Sequence, residues 1–97
     1  MSYNIELTDT FAGEANYCWV KRAVVKMPQL THYGFDGSTN YVRANRIYQR
    51  ELMRKAKAAV GITGMRGVKT NTAGGIEFRP YKANMIMFIE YGSNDNA

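Results

Sequence analysis

The chain has 97 residues, with 13 Lys+Arg against 8 Asp+Glu, a single cysteine and a single histidine. That length makes one domain with one modest core, and 45% hydrophobic against 22% charged residues excludes a disordered tail. One Cys and one His exclude a disulfide framework and the usual four-ligand zinc site. The formal charge of +5 directs attention to an anionic partner.

Met1 to Glu6 has no basic region followed by an apolar run, so a signal peptide is not expected. The longest apolar stretch, Met85 to Ile89, is far short of the ~20 residues that span a bilayer. A cytoplasmic protein is the expectation.

Tyr3, Ile5 and Leu7 alternate with Asn4, Glu6 and Thr8, which predicts a half-buried strand. Asp9 to Asn16 reads as a loop pivoting on Gly13. Tyr17 to Met27, dense in aromatic and β-branched residues, predicts a second strand stopped by Pro28. Cys18, Val20, Arg22 and Val24 would share one face; Tyr17, Trp19, Lys21, Ala23 and Val25 would share the other. Neither face is cleanly polar, so a bulge or a partly covered second face is expected.

An irregular connection from Gln29 to Ser38 carries His32, Tyr33 and Phe35. A helix then opens at Ser38 or Thr39, either of which can cap it. It runs to Ala59 or Val60 and ends at Gly61, a suitable C′ residue. Met65 to Thr72 predicts a weaker strand, Ala73-Gly74-Gly75 a hairpin turn, and Ile76 to Arg79 a strand ending at Pro80. Asn84 to Tyr91 is the most apolar strand and belongs at the sheet centre. The order is ββαβββ: an α+β domain over residues 1–92, one long helix on an antiparallel sheet of about five strands, and a flexible tail over 93–97.

The positive charge is local. On a helical projection Arg43, Arg46, Arg50, Arg54 and Lys57 fall within an arc of about 80°, a stripe ~21 Å long. Tyr41, Ala44, Tyr48, Leu52, Ala56 and Ala59 form the opposite, apolar arc. Arg43 to Lys57 holds six basic residues and one acid, Glu51, so the rest of the chain balances to zero. Solvated faces normally intersperse both signs, whereas like charges at i,i+3/i+4 repel. Four of the five stripe residues are Arg, which favours bidentate phosphate or carboxylate contact. The stripe is the expected partner-binding surface, with Lys55, Arg22 and Lys21 as flanks.

Trp19, Tyr33, Phe35 and Tyr81 are candidate stacking platforms beside a basic groove, whereas Tyr41 and Tyr48 read as core. No RNP, helix-turn-helix or KH-type loop motif is present, so any nucleic-acid recognition would rest on phosphate and shape. For catalysis, His32 has no base or ligand spaced to recruit it, and Cys18 reads as a buried, inert thiol between Tyr17 and Trp19. The acids show no paired-carboxylate or metal-ligand spacing, and the Gly61/Gly64/Gly67 and Gly74-Gly75 pieces lack a phosphate-loop context. No catalytic residue, cofactor or metal is expected.

Two segments, Gly13-Glu14-Ala15-Asn16-Tyr17-Cys18-Trp19-Val20-Lys21-Arg22 and Lys57-Ala58-Ala59-Val60-Gly61-Ile62-Thr63-Gly64, resemble those of small proteins encoded by phages, plasmids and bacterial genomes. The resemblance covers about half the chain. It implies a mobile-element accessory protein, a class that includes inhibitors of host defence such as anti-CRISPR proteins. The resulting expectation is a small non-enzymatic binding protein whose basic helix docks on nucleic acid or a nucleoprotein complex. The alternative is an inhibitor that binds an acidic protein surface of a host defence complex. Either would act as a monomer or as an edge-strand homodimer, with the first strand or the strand after Gly75 at the open edge.

Overall fold

Antiparallel pairing organises the whole sheet. The computed structural model describes residues 2–27 and 38–92, and the side chains of the helix from residue 45 onward. The expectations for Pro28, the His32 loop, the capping side chains, Tyr41, Arg43, Ala44 and the tail lie outside the described residues. The elements are β1 (Ser2–Phe11), β2 (Glu14–Lys26), α1 (Ser38–Ala59), β3 (Gly67–Thr72), β4 (Gly75–Pro80) and β5 (Met85–Tyr91). They make one α+β fold of order ββαβββ, with a five-stranded sheet in the spatial order β2-β1-β5-β4-β3.

The period-2 pattern decides which side chains meet the helix. Tyr3, Ile5 and Leu7 of β1 stand opposite Tyr91, Ile89 and Met87 of β5, and Ile76 and Phe78 of β4 continue the same rows. From the helix, Tyr48, Leu52 and Ala56 recur every fourth residue and are buried against them, with Val60 and Ile62 closing the core. The Tyr3 and Tyr48 hydroxyls share a buried 2.9 Å hydrogen bond that ties β1 to α1. Ala59, expected on the apolar arc, is exposed: the helix ends there and its last residue overhangs the core.

Gly61 terminates the helix by a Schellman arrangement. With φ at +82° it lets the Ile62 N–H reach the Lys57 carbonyl at 2.8 Å, while its own N–H reaches Ala58 at 3.2 Å. The apolar Ile62 then folds back into the core. At Gly75 the constraint is proximity: a Cβ there would collide with the Ile89 carbonyl of β5.

The expectations for the first loop and for the sheet edges are corrected. Asp9 to Asn16 is no open loop; β1 and β2 continue as a hairpin to Phe11 and Glu14, turning through Ala12 (φ +54°) and Gly13 (φ +85°). Positive φ at both central residues gives the type I′ turn that matches strand twist. The sheet edges are also β2 and β3, whereas β1 and the strand after Gly75 (β4) are interior, each with a paired strand on both sides. Neither can therefore join a second copy.

The expected bulge lies in β2. Thr8 pairs with Val20 and Thr10 with Ala15, so Asn16, Tyr17, Cys18 and Trp19 stand against Asp9 alone. Asp9 Oδ1 accepts the Cys18 N–H at 2.8 Å and Oδ2 accepts the Asn16 amide at 2.9 Å. Thr8 Oγ1 accepts the Tyr17 N–H at 3.1 Å and donates to the Trp19 carbonyl at 2.9 Å. These bonds replace the ladder that the bulge interrupts. Thr8 and its β5 neighbour Ile86 are fully buried on the sheet face away from the helix, so that face is partly covered. Cys18 is corrected from buried to exposed: it lies in the bulge of the edge strand β2, on the side of Arg22 and Val24 that faces away from the helix.

Candidate anion-binding groove

The basic side chains line one flank of α1 and face the edge strand β3. Arg46, Arg50, Arg54 and Lys57 from the helix, with Lys69 from β3 opposite them, line an open groove of about 730 Å³. Gln49, Asn45, Met53, Thr63 and Gly64 also line it, and among the described residues no acid does. The groove lies at the β3 side of the sheet: the core stripe of α1 packs on the sheet interior and comes closest to β2, while β3, at the opposite edge, is exposed along nearly its whole length. In register Lys69 lies opposite Phe78, which points to the helix, so Lys69 projects toward α1 and not toward the far face.

The cations in this groove are not equivalent. Arg46 and Arg50 are exposed and make no ion pair or side-chain hydrogen bond among the described residues. Lys69 is likewise exposed and unpaired among them. Arg54 is paired with Glu51 one turn back, and the guanidinium holds that carboxyl below its ordinary pKa. Both partners are solvated, so the pair is weak and a competing anion can displace Glu51.

Lys57 has a different task. Its Nζ donates to the Met65 carbonyl at 2.7 Å and sits 4.4 Å from the centroid of the Phe78 ring. Burial pushes its pKa down. The side chain lies at the groove's floor and pins the segment after the helix to β4, so its charge is partly committed.

The proposed flanks do not join the stripe. Arg22 points to the opposite face of the sheet, where it is paired with Glu6 at 3.1 Å. Lys21 is on the helix side but belongs to β2, the other edge, with its ammonium 3.8 Å from where a Cβ on Gly61 would stand. A cation there complements the helix C-terminus. Lys55 does not line the groove, and the side chain of Arg43 lies outside the described residues. Lys69 is the functional candidate that sequence reasoning missed. Its only sequence signal is alternation, which places it on the Asn71 face of β3, and nothing local says that this face looks at the Arg row.

Away from the groove, Arg79 pairs with Glu77 at 3.0 Å and also donates to the Gly13 carbonyl at 2.6 Å. Arg22 and Arg79 on the far sheet face are thus paired, whereas Arg46, Arg50 and Lys69 at the groove have no ion pair among the described residues. Among the proposed aromatic platforms, Trp19 and Tyr81 are exposed, as are Phe11, Tyr17 and Tyr91. Among the described residues no three His, Cys, Asp or Glu side chains are grouped to hold a metal. No described helix is long and apolar enough to cross a membrane.

Comparison with family models, curated proteins and solved structures finds no match to this chain.

Proposed function

We propose that the protein is a non-enzymatic binding module that holds nucleic acid, alone or within a nucleoprotein complex, in the groove between α1 and β3. The observation that carries this reading is a groove lined by five cations from two facing elements, with no acid lining it among the described residues. Such a concave surface focuses positive potential and attracts a polyanion from a distance. Arg46, Arg50 and Arg54 offer planar forks to phosphate oxygens, and Lys69 supplies a point charge from the opposite wall.

Binding of a fluorescein-labelled oligonucleotide, followed by anisotropy across a salt series, tests it. The log of the affinity should fall linearly with log salt, with a slope near one per phosphate engaged. Arg46→Glu/Arg50→Glu should abolish binding. Binding that is absent at low salt, or indifferent to both substitutions, sinks the reading.

A second reading, an inhibitor of a host defence complex, is favoured by the β1–β2 hairpin. Phe11, Tyr17 and Trp19 are all exposed on it, and aromatic side chains of this kind anchor protein interfaces. It predicts a stable complex from host lysate that survives nuclease treatment and is lost on Trp19→Ala. An unaffected complex would reject the hairpin as the interface.

A further inference from the structure

We infer that the groove takes a single strand, with one base inserted in a recess at the Tyr91 end. This rests on the nucleic-acid reading above and deepens it. The basic groove runs on into a second recess of about 260 Å³, and the two share Asn45, Gln49 and Lys69. Among the described residues no acid lines this recess either, and Asn71 and Thr72 of β3 and the Tyr91 ring of β5 form its walls.

Its chemistry differs from that of the Arg row in a way that suits a base. Asn45, Gln49 and Asn71 each present an amide donor and acceptor, the complement of a base edge. None of these amides bonds to another described residue. Tyr91 is 57% exposed and its ring leans on Tyr3, with centroids 5.5 Å apart. Its inner part is thereby fixed while its outer part is left for a base to stack on.

Dimensions point the same way. Arg46, Arg50 and Arg54 rise about 6 Å apart along the helix, comparable with the contour spacing of successive phosphates on one extended strand. A duplex is a wide convex cylinder that would bridge the rims and miss the floor. A single strand can lie between the walls, with phosphates on the Arg row and Lys69, and turn a base toward the amides.

The test compares four labelled probes of equal phosphate number: single-stranded DNA, single-stranded RNA, duplex DNA, and a strand whose sugars are abasic. Either single strand should bind about tenfold more tightly than the abasic strand or the duplex. Asn45→Ala/Gln49→Ala should erase most of that preference and leave the salt slope unchanged. Tyr91→Ala should do the same, with its thermal midpoint measured because Tyr91 also touches Tyr3. A duplex or abasic strand that binds as tightly as the single strands overturns the base recess and leaves the nucleic-acid reading standing. Failure of all four probes at low salt overturns both.

Discussion

The ammonium of Lys57 stands over the Phe78 ring at 4.4 Å while donating to the Met65 carbonyl, so a charge from the basic stripe serves the core. A charged hydrogen bond and a cation–π contact at a part-buried site are worth about 1–2 kcal/mol together. Lys57→Ala should therefore lower the thermal midpoint by several degrees. Its effect on the salt slope of oligonucleotide binding should be smaller than that of Arg50→Gln. Equal slopes with unchanged melting would return Lys57 to the binding surface.

Lys69 gives the complementary test. It lies on a strand, makes no pair among the described residues, and faces the Arg row across the groove. Lys69→Gln should leave stability within about 0.5 kcal/mol and reduce the salt slope by about one. Lys55→Gln, outside the groove, should leave both stability and the salt slope unchanged. A salt titration of the two variants side by side separates the groove from generic basicity.

The β1–β2 turn carries avoidable strain. Ala12 has φ at +54°, where a Cβ costs about 1–2 kcal/mol. Ala12→Asn creates the Asn-Gly pair that type I′ turns favour. It should stabilise the protein by about 0.5–1 kcal/mol, read as a rise of a few degrees in thermal melting. Oligonucleotide binding should not change, because the turn does not line the groove.

Asp9 couples the bulge to pH. The Asn16 amide, with the N–H groups of Trp19 and Cys18, holds its carboxyl below the ordinary range. A carboxyl with a depressed folded-state pKa contributes stability that is fully present above its unfolded value, about 3.9, and is lost as pH falls through the folded one. The wild type should thus lose stability on acidification below about pH 4 more steeply than Asp9→Asn does. Asp9→Asn should be the less stable protein at neutral pH. Chemical denaturation across that range checks both signs, and parallel curves would remove Asp9 as the acid-sensitive group.

Much of the fold was legible because the chain obeys local rules at the places that matter. The Tyr3/Ile5/Leu7 alternation, the four-residue spacing of Tyr48, Leu52 and Ala56, and Gly61 at C′ each point to the element that forms. The hairpin turn was not legible, since Ala12-Gly13 lacks an Asn or Asp to announce positive φ. Cys18 was misplaced because its apolar neighbours do not reveal that β2 is an edge strand, and the bonds that hold its bulge come from Thr8 and Asp9 on another strand. At the groove, helical projection placed Arg46, Arg50 and Arg54 on one face. It was blind to Lys69, which reaches them only once β3 is laid beside α1, and to the ring under Lys57.

The position of β1 has a consequence for how the chain reaches this state. β1 is interior and pairs on one side with β5, with Tyr3 opposite Tyr91 and the Gly92 N–H bonded to the Ser2 carbonyl at 2.7 Å. The β1–β2 hairpin and the β3–β4–β5 meander can each form from neighbouring segments. The seam between them joins β1 to β5, segments far apart in the chain, at the loop-closure cost that slows folding. A chain still being synthesised can pair β1 with β2 and set α1 on them, but the other flank of β1 stays unpaired until β5 has emerged. The groove also waits on that moment, since β3 is carried to its place beside the Arg row only when β5 docks on β1.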